Sequence, residues 1–217
     1  MITQLKLYNN ALMEIGERAL PALTDENESR RALDQVWDSG ELIDYLLQQG
    51  HWNFASRTSE LTYAPSIEPS FGYQYAISKP SDWVKTTMLS ADEYFSIPLT
   101  EYEDEREYWF CEHQTIYVKY VSNDAAYGDD LSLWPPAFSR WVAVYLASRV
   151  CERLTQNATK AAELKAAADP EAKRPALLIA ARSSDAMDEP SRAAAPGSWS
   201  LSRRRHRYDK MRGSLIG

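Results

Sequence analysis

Long apolar runs are missing from this 217-residue chain. No stretch approaches the ~20 apolar residues that a membrane-spanning helix needs, so no membrane span is expected. The start, Met1-Ile2-Thr3-Gln4-Leu5-Lys6, lacks a charged segment followed by an apolar one, so no secretory signal peptide is expected either. Glycine is scarce, with eight residues, and none forms a GxGxxG or P-loop arrangement. A glycine cradle for nucleotide phosphates is therefore not expected. The three histidines, His51, His113 and His206, lie in three different regions, none at zinc-ligand spacing. No Gly-x-Ser-x-Gly elbow is present. The expectation is no metal, no cofactor, no catalytic residue and no enzyme.

Cysteine is nearly absent as well. Cys111 falls in a strand-like run and Cys151 in a helical one. Both read as reduced, buried thiols of a cytosolic setting, and a bridge between them is a question of geometry. Cys111 and His113 are two residues apart, which on a strand places them on one face. A Cys–His nucleophile pair would still need a third group and an oxyanion hole, and no signature supplies them.

What is present is the composition of an ordinary globular protein, 44% apolar and 25% charged, long enough for one sizeable core or two small ones. Aromatics reach 12%, with 13 Tyr and 7 Trp, side chains that suit wet interfaces as well as cores. The net charge of −7 is uneven. From Ser191 onward seven basic residues face one acid, giving a tail of about +6 and a remainder of about −13. An acidic body of this kind does not suit tight duplex DNA binding, which needs many cations on one face.

Leu5, Tyr8, Leu12, Ile15 and Ala19 recur at helical spacing and predict a helix from Thr3 to about Ala19, with Gly16 as a weak point. A second helix is expected from near Asn27, carrying Ala32, Leu33, Val36, Trp37, Ile43, Leu46 and Leu47, interrupted at Gly40 and ended by Gly50 as a C-terminal glycine. Trp52-Asn53-Phe54-Ala55 then stands where helical spacing stops, and Trp52 and Phe54 read as core anchors between two packing layers. From about Thr58 to Leu133 the period changes. Tyr73–Ile77 and Thr115–Val121 alternate as strands, and prolines cut the region into short pieces of one small antiparallel sheet. Glu101 to Glu107 reads as a solvated acidic loop or hairpin tip.

Trp134-Pro135-Pro136 marks the return to helix, with proline in the first turn. The run from Phe138 to Cys151 is apolar around most of its circumference and reads as the central buried helix, continuing to about Ala168, with Trp141, Tyr145 and Leu146 in the core. Asp169-Pro170 reads as the start of a last helix that ends near Met187. The expected fold class is α+β and mainly helical. It is an antiparallel helix bundle with an inserted small antiparallel β-rich region and an extended basic C-terminal arm. The divisions are 1–57 for the N-terminal helical hairpin, 58–133 for the insertion, 134–190 for the C-terminal helices and 191–217 for the arm.

In the arm, Arg203, Arg204, Arg205, His206 and Arg207 sit between Trp199 and Tyr208. The cluster suits nucleic acid, a localisation signal, or docking into an acidic pocket of a protein partner. A solubilising tail is the plainer alternative.

The order of these stretches resembles the head–tail adaptor (connector) family of tailed bacteriophages, the group that includes tail tubular protein A of short-tailed phages. The matching stretches are Asn10–Glu17, the Leu20/Leu23 connector, Trp52–Ala55, Tyr73–Ile77 with Pro80–Val84, Tyr117–Tyr120 and Trp134–Phe138. Ala147-Ser148-Arg149 to Leu154-Thr155 and Ala181-Arg182 to Asp185-Ala186 complete the set. The resemblance covers the chain up to Trp199 and departs from the family where Pro170 and Pro175 lie close together. It implies a structural virion protein forming a ring of twelve copies in the neck, between portal protein and tail or nozzle protein, assembled in the bacterial host cytoplasm. DNA would pass through the lumen without specific binding. Trp199, Arg203, Arg204, Arg205, Arg207 and Tyr208 would form a portal-docking arm. The competing expectation is a nucleic-acid-binding regulatory protein that uses the same tail.

Overall fold

In the computed structural model, residues 1–38, 41–67, 69 and 72–188 are described. Six α-helices and six β-strands follow one another among them: α1 Gln4–Ile15, α2 Glu28–Trp37, α3 Leu42–Gln48, β1 Ser56–Thr62, β2 Tyr75–Ser78, β3 Trp83–Ser90, β4 Glu103–Asp104, β5 Tyr108–Cys111, β6 Thr115–Ser122, α4 Pro136–Thr155, α5 Ala158–Ala168 and α6 Ala176–Met187.

The expected fold class needs correcting. Helix accounts for 43% and strand for 19%, and the insertion holds two sheets, so the chain is α+β rather than a mainly helical bundle with one small sheet. One sheet has the order β1-β6-β3 and the other β2-β5-β4, all pairs antiparallel. Sequence spacing missed β1 because Ser56–Thr62 is largely polar, and it exists by pairing along its whole length with β6, from Ser56 opposite Val121 to Thr62 opposite Thr115. Of the two readings of the acidic run, the hairpin tip is the one observed: Glu103 and Asp104 pair with Phe110 and Trp109, and Glu105–Tyr108 closes the turn. The extended basic arm lies outside the described residues.

Helix boundaries differ from expectation for local reasons. α1 stops at Ile15 because Gly16 adopts the left-handed conformation, φ 84°. Its N–H and that of Glu17 then close on the carbonyls of Met13 and Leu12, the double bond of a Schellman ending. Asn27 caps α2 by accepting from the Arg30 N–H at 2.8 Å. The expected second helix is two, α2 and α3. Gly50 is not left-handed. A Cβ there would stand 2.6 Å from the Trp52 ring, so close approach of the indole is what requires glycine. The long C-terminal helix is also two. Gln156 turns left-handed at φ 53°, and Asn157 caps α5 by accepting from the Lys160 N–H. Proline at the start of α4 is as the dipeptide Pro135-Pro136 predicts. Asp169-Pro170 opens a turn, and α6 begins only at Ala176, after Pro175.

Two cores result. The larger joins α1 to α6 with Val84 and Val121 of the first sheet. The smaller comprises Ile77, Leu89, Trp109, Cys111, Ile116, Val118 and Tyr120, drawn from both sheets. α4 is central to the larger core, with both Trp141 and Leu146 fully buried.

Candidate functional site

The feature that ties distant parts of the chain together is the joint at Trp52–Ala55. Trp52 leaves α3 in extended conformation, and Asn53–Ala55 makes one 3-10 turn before β1. The Trp52 indole N–H donates to the Leu47 carbonyl at 3.1 Å, which folds the ring back under α3. Its ring meets Phe138 edge-on at 4.7 Å between centroids and stacks on Trp141 at 6.0 Å. Phe54 lies 4.9 Å from Phe138, and Trp134 meets Phe138 edge-on at 4.8 Å. Aromatic pairs at these spacings add to the stabilisation from burial alone.

Asp185 of α6 closes the joint from the other end of the chain. Both its carboxylate oxygens accept from the Asn53 N–H at 3.0 Å, and the Asn53 side-chain amide donates to the Asp185 carbonyl at 2.8 Å. Asp185 is 6% exposed, so this anchor replaces water for a nearly buried carboxylate. Sequence spacing did not single out Asn53 or Asp185. A polar residue inside a hydrophobic exit and an acid on a helix of apolar residues were the available signals.

The four anchor residues fall as follows. Trp52 and Trp141 are fully buried, Tyr145 is buried and Phe54 is half-buried. Trp52, Phe54 and Trp141 share the joint. The Trp141 indole N–H donates to the Ala168 carbonyl at 2.7 Å, tying α4 to the end of α5. Tyr145 lies elsewhere, with its ring 6.1 Å from Tyr45 of α3. Trp199, Arg203, Arg204, Arg205, Arg207 and Tyr208 lie outside the described residues.

Cys111 and Cys151 are both free and buried. The Cys111 thiol donates to the backbone carbonyl of His113 at 3.3 Å rather than engaging the imidazole, and burial pushes its pKa up. That opposes thiolate formation. Among the described residues no group of three or more His, Cys, Asp or Glu side chains is placed to hold a metal ion, and no helix is long and apolar enough to cross a membrane.

A carboxylate cluster ties the strands of the first sheet together. Asp82, just before β3, accepts from Ser122 Oγ at 2.5 Å, Arg57 Nη1 at 2.8 Å and the Tyr120 hydroxyl at 3.1 Å. Burial works to raise its pKa, but these donors outweigh burial and hold it below the usual carboxylate range. The cluster clamps β1, β3 and β6 at one end of the first sheet. Compared with known proteins, the chain matches no family model and no curated protein sequence.

Proposed function

We propose that this protein is a structural head–tail adaptor of a tailed bacteriophage, a ring of about twelve copies that joins the portal to the tail and lines the DNA exit channel. The observation that carries the reading is the convergence of the resembling stretches. Trp52–Ala55, Trp134–Phe138 and Ala181–Ala186 are far apart in sequence, yet they meet at one joint through the Trp52, Phe138 and Asn53–Asp185 contacts. A joint that locks helices to sheets suits a rigid subunit in a load-bearing ring. The acidic body suits a lumen that passes a polyanion without holding it. In this reading the virion neck is the location, and portal and tail or nozzle proteins are the partners. Residues 198–217, with Trp199, Arg203, Arg204, Arg205, Arg207 and Tyr208, dock on acidic surface of the portal.

Electron microscopy of the protein, alone and mixed with portal rings, tests this directly. Rings seated coaxially on the portal are expected. Deletion of residues 198–217 should abolish seating while leaving the fold intact by circular dichroism. The basic tail also supports a second reading, a nucleic-acid-binding regulator. That reading requires duplex affinity that falls steeply with salt and vanishes on the same deletion. Failure to bind any portal together with tail-dependent DNA binding would replace the adaptor reading.

A further inference from the structure

The helical core carries a pocket of about 510 Å³ among α2, α3, α4 and α5. That volume is in the range that accommodates a ligand or an inserted side chain, ~300–1,000 Å³. Val36, Leu42 and Val150 give it an apolar wall, beside the phenols of Tyr45 and Tyr145. Three cations, Arg149, Arg153 and Lys165, line it against one acid, Glu41. Arg153 is engaged by Glu28 and Gln35. The Arg149 and Lys165 side chains are exposed, and neither makes a side-chain hydrogen bond or ion pair with another described residue. Asp169 and Glu171 stand near the two phenols without pairing with either cation.

The sheet region exposes an acid beside an aromatic, Glu93 and Tyr94. Between β3 and β4 the chain forms a tight loop around Asp92. Its carboxylate accepts from Ser90 Oγ at 2.6 Å, from the Ile97 N–H at 2.8 Å and from the Ser96 N–H at 3.1 Å, and also from the Ser96 hydroxyl. Ser90 Oγ also reaches the Ile97 carbonyl at 2.8 Å, and Ser90 bridges to Pro98. Phe95 is held left-handed at φ 54°, a conformation that is unfavourable for a non-glycine residue and persists only where the surroundings impose it. The clamp presents Glu93 and Tyr94 outward at the tip. Tyr94 is 79% exposed and Ile97 61%. An aromatic next to an acid, on a loop already ordered, loses little conformational entropy on insertion.

We propose that the Glu93–Tyr94 tip of one copy seats in the α2–α5 pocket of the next copy, with the phenol on the apolar wall and the carboxylate on Arg149 and Lys165. The contact is head-to-tail. Each copy offers one tip and one pocket, so repetition closes a ring or extends a filament according to the angle. The inference rests on the ring reading above, which it deepens by naming the subunit contact.

The test is sedimentation velocity of the full-length protein over a concentration series, with two double variants. One removes the tip, Glu93→Ser with Tyr94→Ser. The other inverts the pocket, Arg149→Glu with Lys165→Glu. Four exposed or edge side chains should change without loss of fold, checked by circular dichroism, and each variant should weaken self-association by at least about tenfold. Mixed in equal amounts, the two retain one intact tip and one intact pocket between them, and should form a 1:1 dimer and nothing larger. Self-association that survives both variants overturns the contact. So does a wild-type protein that stays monomeric throughout while the mixed variants form no dimer. Rings that persist on the microscope grid in both variants overturn the contact but leave the ring reading standing. A mixed dimer without rings, alone or on a portal, upholds the contact and removes the ring reading.

Discussion

The two cores of this protein are held by different means. The helical core relies on apolar volume. Leu7, Leu12, Leu33, Leu46, Leu47 and Phe138 are fully buried in it with Trp52 and Trp141, and its polar ties include indole N–H groups ending on carbonyls, the Tyr8 hydroxyl on Asp34 and the Asn53–Asp185 anchor. The sheet core has seven buried residues and compensates with charge. Asp82 gathers Arg57, Tyr120 and Ser122, and Asp92 organises the β3–β4 loop. Lys79, with its side chain only 6% exposed, pairs with Asp104 of the second sheet. Its ammonium lies 4.0 Å from the Trp83 ring of the first sheet and 5.5 Å from Trp109 of the second. Small sheets bury too little apolar area to hold themselves together, so charge-assisted hydrogen bonds and a cation–π contact take over part of that role.

The largest expected effect lies in the helical core. Trp141→Ala should destabilise the protein by about 3–5 kcal/mol in urea unfolding, through lost burial, the cavity and the orphaned Ala168 carbonyl. A loss below about 1 kcal/mol would mean that the helical core is not the dominant one. Lys79→Ala comes next, at about 1–3 kcal/mol, because it leaves Asp104 and two indole faces without their cation. Its signature should be a change in tryptophan fluorescence with little change in helical circular dichroism. Equal loss of both signals would show that the two cores unfold as one.

Acid should separate the cores more gently. The folded-state pKa values of Asp82 and Asp92 lie below the usual 3.8, so their stabilisation is fully present above that value and is lost as pH falls through the lower folded values. Asp129 runs the other way. Burial first, then Asp44 and Asp130, raise its pKa, so acid relieves rather than removes stability there. Hydrogen exchange between pH 5 and 2 should therefore show β3 and the β3–β4 loop opening before α4. Uniform opening would break the contrast. The smallest effect concerns a helix boundary. Gln156→Gly should stabilise by about 0.5–1 kcal/mol in thermal melts, since glycine accepts the left-handed backbone between α4 and α5 without a Cβ penalty. A destabilised variant would mean that the Gln156 side chain matters more than its backbone.

Legibility followed the range of the interactions. The start of α4 at Pro136, the helix start near Asn27 and the alternation of β6 are local signals, and they coincide with the elements observed. β1 was illegible because its residues are mostly polar and half-exposed, and only a partner strand makes them a strand. The break at Gln156 was hidden because a non-glycine residue takes a glycine-like conformation. Of the joint, the aromatics Trp52 and Phe54 were readable from their place at a helix exit. Asn53 and Asp185 were not, since a bond across 132 positions leaves no pattern in spacing.

The sequence by itself determined the apolar central helix, the switch of period between helix and strand, the scarcity of glycine-built or metal-built motifs and the split of charge between body and tail. These follow from residue chemistry and from repeats of a few positions. Tertiary structure alone decided that the strands form two sheets with their own core, that Asp185 locks the Trp52–Ala55 exit, and that an exposed Tyr94 tip and a pocket lined by Arg149 and Lys165 coexist on one chain. Each of these depends on which distant residues share a surface, and that is settled by packing and hydrogen-bond satisfaction across the whole fold.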